Sequence, residues 1–267
     1  NGANIELEDG AIDDFMSDYK KLSEIIYDIK FTIYHENGAR YTLSRENSEK
    51  SYIFLGCSFV FGSSVADEQT LPYYFSKLNG FKSNVVNLGY SGHSTNSALS
   101  ILNSEVINNF TGKSEIERFF YVVMHDHIQR NFRMPGNEPS DSWLYDGTKW
   151  VLAGAKQPFG KIKLIFKRSY LFRRIFLNFI DEHNQGFYEH YLIRSLKKMD
   201  NIIREKYKSK LTVVIWNNIK IKPLINKLQT ENLDYIILSE DFNSRHYQIA
   251  YDLHPNAKAY EEIANIL

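Results

Sequence analysis

Cysteine, proline and glycine are scarce in this chain, and neither sign of charge is in excess. One residue of 267 is a cysteine, Cys57, so no internal disulfide framework and no thiolate metal site can form. Glycine and proline number 14 and 6, which excludes collagen-like and linker-rich chains. Lys plus Arg and Asp plus Glu both number 32, a formal net charge of zero, which excludes a surface uniformly basic for nucleic acid. No run of about 18 apolar residues occurs, so no segment reads as a transmembrane helix. The chain begins at Asn1 without Met or a signal-like stretch, and an upstream segment is expected to have been removed. What is abundant is apolar mass: 43% hydrophobic residues and 15% aromatic ones, enough to offset chain entropy and exclude a disordered chain.

From residue 50 onward the pattern alternates between strand and helix. Short apolar runs at Tyr52–Leu55, Val85–Leu88, Phe119–Met124, Leu211–Trp216 and Tyr235–Leu238 read as buried strands. Helices are expected at Thr70 to Asn79, Ser94 to about Asn108, about 187–207, Pro223 to about Thr230, and from Pro255 to the end. Strands joined through helices imply right-handed crossovers and a parallel sheet covered on both faces. The predicted fold is therefore a doubly wound α/β/α sandwich around a parallel sheet of about five strands. Two segments depart from the alternation. Residues 1–49 form an N-terminal appendage, in which the period-two pattern of 25–43 around Asn37-Gly38 predicts a β-hairpin. Residues 128–186 form an insertion within the 50–267 domain, with a turn signal at Tyr145-Asp146-Gly147.

Chemistry-bearing residues fall at the carboxyl ends of successive predicted strands, the edge where open α/β sheets build sites. Five of the 14 glycines lie within residues 56–92, at Gly56, Gly62, Gly80, Gly89 and Gly92. Ser58, in Gly56-Cys57-Ser58, directly follows the first strand and faces the start of a helix, where backbone N–H groups and the helix dipole would favour a developing oxyanion. It is not the G-x-S-x-G elbow of α/β-hydrolases, since position 60 is Val. Asp252-Leu253-His254-Pro255 lies between the fifth strand and the last helix, so a base and an orienting carboxylate can face the same serine. Gly92 in Asn87-Leu-Gly-Tyr-Ser-Gly92, and a side chain of His125-Asp126-His127, are candidate oxyanion donors. Cys57, beside Ser58 on a tight turn, is expected to point into packing. A zinc site from His125, His127, Asp126, Asp252 and His254 is a competing arrangement, and His93 reads as a loop residue.

These blocks, in this order, resemble the SGNH (GDSL-like) hydrolase superfamily over about residues 50–267. Cys57 replaces the usual Asp of the first block, Met124-His125-Asp126-His127 replaces Gly-x-Asn-Asp in the third, and the last is Asp-x-His rather than Asp-x-x-His. The resemblance implies Ser58 as nucleophile, His254 as base and Asp252 as orienting acid. It also implies an oxyanion hole of the Ser58 and Gly92 N–H groups, with His127 in place of the family Asn. No metal and no cofactor is implied. The expected activity is that of a serine esterase working through an acyl-serine, on an ester-bearing small molecule, lipid or acylated glycan. An O-acyltransferase for cell-envelope glycans would use the same residues, which favours envelope or periplasm over cytoplasm, and a non-catalytic binding domain would keep the fold alone.

Zero net charge conceals an uneven distribution. Residues 1–29 carry eight acids and two lysines, whereas 147–180 carry eight Lys and Arg and no acid. Residues 161–180 mix these bases with apolar side chains, as a helix whose cations snorkel to water would, or a lid meeting an anionic surface. Lys167, Arg168, Arg173 and Arg174 are the candidate contacts for such a peripheral membrane surface or acidic substrate, and no nucleic acid is expected.

Overall fold

The computed structural model describes residues 39–43, 48–131, 143–145, 150–152, 185–217, 221–250 and 252–267. Five parallel strands form the central sheet: β1 (Lys50–Gly56), β2 (Asn84–Gly89), β3 (Glu115–Val123), β6 (Leu211–Ile215) and β7 (Asp234–Ile237), in the order β2-β1-β3-β6-β7. β1, β3 and β6 carry buried apolar runs (Ile53–Leu55, Phe119–Val123 and Val213–Ile215) because both faces are covered, and alternate residues feed two cores. Ile53, Leu55, Phe119, Tyr121, Val123, Val213 and Ile215 pack to one side, with Ala98, Leu192, Leu196, Met199 and Leu224 from helices. Phe54, Phe120, Val122 and Val214 pack to the other, with Leu71, Phe75, Tyr260 and Ile263. The helices supplying the first face are α3 (Thr95–Asn103), α6 (Gln185–Tyr207) and α7 (Lys222–Thr230). The second face is covered by α2 (Leu71–Leu78) and α8 (Ala257–Ile266). This is the doubly wound α/β/α sandwich.

The chain leaves β1 toward β2 on one side and continues to β3, β6 and β7 on the other. The order therefore reverses between β1 and β3, and their carboxyl ends flank the switch point where such sheets bind ligands. The one-turn helix α1 (Ser58–Phe61) emerges there, directly after β1.

Local boundaries differ from the sequence reading in two places. The helix expected from Ser94 to about Asn108 is two, α3 and α4 (Val106–Thr111). Ser104 sits extended between them; its Oγ donates to Ile101 O (2.7 Å) and accepts from Val106 N (3.3 Å), so its hydroxyl competes with the helical ladder. The last helix starts at Ala257, not at Pro255. Pro255 pairs in an antiparallel bridge with Gln248, and Asn256 caps α8 by accepting from Ala259 N (3.0 Å). The two short strands β4 (Trp143–Tyr145) and β5 (Trp150–Leu152) pair antiparallel with Tyr145 opposite Trp150; the Asp146-Gly147 turn itself lies outside the described residues.

Of the N-terminal segment, residues 39–43 are described. Arg40 pairs antiparallel with Asn87 on β2, Ala39 is buried in the first core, and Leu43 O accepts from Ser76 Oγ on α2 (2.8 Å). These contacts tie residues 39–43 to β2, to the first core and to α2. The Asn37-Gly38 turn, and the rest of the expected hairpin, lie outside the described residues.

Candidate functional site

Strand β1 ends in Gly56, whose φ of +155° and lack of a side chain let the chain double back; a Cβ there would stand 2.6 Å from Val60 Cγ2. Cys57 follows, fully buried, with its Sγ 3.4 Å from Met124 Sδ at the end of β3. The thiol is thus committed to packing, as its place beside Ser58 on a tight turn leads one to expect. Ser58 begins α1 and is half-buried, while Phe59 and Val60 after it point into the interior. Because α1 has only four residues, no sizeable macrodipole stands behind Ser58; the local N–H groups themselves carry any anion stabilisation. Gly62, at φ +81°, ends the turn.

The loop after β2 closes against this one. Tyr90 N donates to Gly56 O (3.2 Å), His93 N donates to Tyr90 O (3.1 Å), and Ser91 Oγ lies 3.0 Å from Ser63 Oγ. Gly92, at φ +79°, occupies the left-handed position of that turn. The N–H groups of Ser58 and Gly92 donate to no acceptor among the described residues.

His254 packs against Phe59, the residue that follows Ser58. Its Nδ1 is 2.9 Å from Asp252 Oδ1, and its ring stands edge-on to Phe59 at 5.5 Å between centroids. Phe59 in turn stacks on Trp216 (4.8 Å), whose Nε1 donates to Asn243 Oδ1 (3.0 Å). The imidazole therefore rests on an aromatic wall built from the residue next to Ser58 and the end of β6. Its backbone is held by a short antiparallel pairing, Ile249 N to His254 O (2.8 Å) and Asn256 N to Tyr247 O (2.9 Å). Leu253, between acid and base, has φ +59° and is 67% exposed. That left-handed residue brings the carboxylate back onto a ring only two positions away. Asp252 Oδ2 is buried and without a hydrogen-bond partner among the described residues, and no hydrogen bond among them joins Ser58 Oγ to His254.

His127 does not join this group. It has no exposed surface, and its Nδ1 lies 3.3 Å from Tyr121 Oη beneath the sheet edge. His127 is thus packed against Tyr121, whereas Ser58 and Gly92 stand partly exposed. The helix α5 (His127–Arg130) starts at His127 and buries it. His125 and Asp126 remain half-buried at the edge, with His125 Nε2 3.0 Å from Asp126 Oδ1. Among the described residues no three His, Cys, Asp or Glu side chains gather as a metal centre would require.

The sequence reading missed Arg130. Its buried guanidinium donates to His93 O (3.1 Å) and approaches Asp126 Oδ2 (3.5 Å), tying the loop after β2 to that after β3. Its place four residues beyond Asp126 was the only available signal. His93 is pushed down to about 4 by burial and, less, by the Arg130 charge, so it is neutral near pH 7. Lys167, Arg168, Arg173 and Arg174 lie outside the described residues.

No family model matches the chain, and no curated protein does. Solved structures do. A G-D-S-L family lipolytic protein from Desulfitobacterium hafniense is similar at TM-score 0.46 and 11% identity, over 81% of this chain and 99% of its own. A carbohydrate acetylesterase family member from Sinorhizobium meliloti is similar at TM-score 0.44 and 10% identity, over 81% and 94%. A lipase from a goat rumen metagenome is similar at TM-score 0.45 and 13% identity, over 80% and 94%. At these identities the likeness to these three structures is one of fold.

Proposed function

We propose that this chain is a serine esterase. The reading is carried by the hydrogen-bonded pair of Asp252 and His254 at the carboxyl edge of the sheet, its imidazole resting on Phe59, the neighbour of Ser58. With Nδ1 held by the carboxylate, Nε2 is the nitrogen left to accept a proton. Ser58 Oγ attacks the ester carbonyl as its proton passes to His254 Nε2. The carbonyl oxygen, now an anion, takes hydrogen bonds from the N–H groups of Ser58 and Gly92. Collapse breaks the C–O bond to the leaving alcohol, which receives the proton from His254 and departs. Water then repeats the sequence on the acyl-Ser58 ester and releases the acid. Asp252 keeps the ring in its productive tautomer and stabilises the imidazolium. The mechanism uses no cofactor.

The substrate is an ester of a small molecule, lipid or glycan hydroxyl. The basic run at Lys167, Arg168, Arg173 and Arg174 would bring the chain to an anionic surface or substrate. The test is hydrolysis of p-nitrophenyl acetate together with covalent labelling by a fluorophosphonate. Wild type should turn over and be labelled at Ser58, Ser58→Ala should lose both, and His254→Ala should lower kcat by about 10³-fold or more. Hydrolysis by Ser58→Ala at the wild-type rate would refute the proposal. Acetyl transfer to a sugar hydroxyl in excess of loss to water would identify a transferase on the same residues.

A further inference from the structure

Arg40 lies ten residues before the sheet begins, yet its side chain is 1% exposed and its guanidinium reaches into the loop that follows Ser58. Nη1 donates to Phe61 O (2.7 Å) and to Gly62 O, Nη2 donates to Val65 O (2.6 Å), and Nε donates to Asp67 Oδ1 (3.0 Å). The guanidinium carbon also stands 4.9 Å from the Phe61 ring centroid. Burial alone would disfavour the charge, and the Asp67 carboxylate beside it opposes that cost.

The two peptide units that Nη1 holds by their oxygens are also those whose N–H groups point at Ser58. The Phe61–Gly62 peptide donates through Gly62 N to Ser58 O (2.9 Å), and the Gly62–Ser63 peptide donates through Ser63 N to the same oxygen (3.1 Å). Arg40 is therefore linked to the backbone carbonyl of Ser58 by two parallel relays, each one peptide long. A cation on the oxygen end of a peptide strengthens the donor at its other end. Gly62 is what permits the approach: a Cβ there would lie 3.1 Å from Arg40 Nη1 and 2.6 Å from Thr70 Cγ2.

We infer that Arg40 is a positioning residue for Ser58, acting through the Phe61–Gly62 and Gly62–Ser63 peptides, an inference that rests on the serine-esterase reading. In a one-turn helix the final carbonyls lack the partners a continuing helix would give; besides Arg40, Phe61 O takes a long contact from Asn87 Nδ2 (3.5 Å) and Gly62 O one from Val65 N (3.3 Å). Arg40 supplies partners from a fork whose planar geometry a lysine cannot reproduce. Without it the loop rearranges to satisfy those carbonyls, the Ser58 carbonyl loses its two donors, and Oγ moves away from the line between His254 and the substrate.

The experiment compares wild type, Arg40→Lys and Ser76→Ala by p-nitrophenyl acetate kinetics, fluorophosphonate labelling of Ser58 and thermal unfolding. Ser76→Ala removes the bond from Ser76 Oγ to Leu43 O (2.8 Å), so it loosens the same segment without touching the fork. Arg40→Lys should lower kcat and the labelling rate together by about 10- to 100-fold, with KM within about threefold, as a small misplacement of a nucleophile does. Ser76→Ala should keep kcat within about threefold even at equal loss of Tm. A folded Arg40→Lys with near-wild-type kcat, or losses of kcat that track Tm in both variants, would overturn the inference. Should Arg40→Lys not fold, amide hydrogen exchange on the wild type decides. Gly62 and Ser63 amides strongly protected uphold the relay, and exchange at free-peptide rates overturns it. This readout needs no turnover, so a wild type that is neither active nor labelled refutes the esterase reading separately.

Discussion

Leu253 is the residue on which the proposed acid–base pair turns. An Asp two positions before a His reaches its Nδ1 because the residue between adopts φ +59°, a conformation that costs a non-glycine residue roughly 1 kcal/mol. Leu253 is also 67% exposed and so contributes little packing in return. Leu253→Gly should therefore keep kcat within about threefold and leave Tm unchanged or higher. Leu253→Val, whose branched Cβ resists this region, should lower kcat by about tenfold at constant KM, the equivalent of about 1.4 kcal/mol. Steady-state kinetics and a melting curve on the two variants decide it. His93 makes a second residue-scale test. It is held down to about 4 by burial and by Arg130, and its ring packs against Tyr90 at 4.7 Å. A histidine depressed when folded binds its proton more readily when unfolded, so the stability it confers is present above about pH 6.5 and is lost as pH falls toward 4. The loss amounts to roughly 2–3 kcal/mol between pH 7 and pH 4. Urea unfolding at both pH values should show a drop in wild type that is smaller by that amount in His93→Gln.

At the scale of elements, β2 packs closely against α1. A Cβ on Gly89 would overlap Phe61 N and stand 2.7 Å from Val60 Cβ. Those are atoms of a packed turn rather than a movable side-chain tip, so Gly89→Ala must push α1 off the sheet edge. The expected cost is about 1–3 kcal/mol, with labelling of Ser58 slowed; a variant with wild-type stability and labelling rate would show that α1 yields freely. Elements of this kind were legible where one physical signal dominated. Apolar runs such as Ile53–Leu55 and Val122–Val123 name buried strands because both sheet faces are covered, and Thr70 with Pro72 marks a helix start that the Thr70 cap bears out (Tyr73 N to Thr70 Oγ1, 3.3 Å). Signals failed where two local preferences compete. Ser104 fits a helix by apolar spacing but spends its hydroxyl on the backbone, and Pro255 suits a first helical turn yet joins the bridge with Gln248 that orients His254. His127 shows the same competition: it follows the end of β3 directly, yet α5 begins at this residue and its ring packs against Tyr121.

For the whole molecule, topology and the order of the site blocks were readable because each block follows a strand. Contacts formed only by tertiary closure were not. Nothing local in Ala39-Arg40-Tyr41 signals a guanidinium destined for the Phe61–Val65 loop, and its partners lie 21 to 27 residues away. Charge distribution, by contrast, is read from sequence alone and makes a prediction at this scale. The excess of base in residues 147–180 lies in the interval between β3 and α6, and is balanced by an equal excess of acid over the rest of the chain. If that segment carries the chain to an anionic surface, attraction must fall with ionic strength over the Debye length, about 10 Å at 0.1 M salt. Reversing Lys167, Arg168, Arg173 and Arg174 to Glu should abolish co-sedimentation with phosphatidylserine-containing vesicles at low salt. The variant should retain hydrolysis of a small neutral ester such as p-nitrophenyl acetate, because the chemistry proposed for Ser58, Asp252 and His254 does not draw on those cations. Wild-type binding that is insensitive to both salt and the substitutions would assign the basic run to packing, whereas loss of turnover on the neutral ester would place it at the substrate itself.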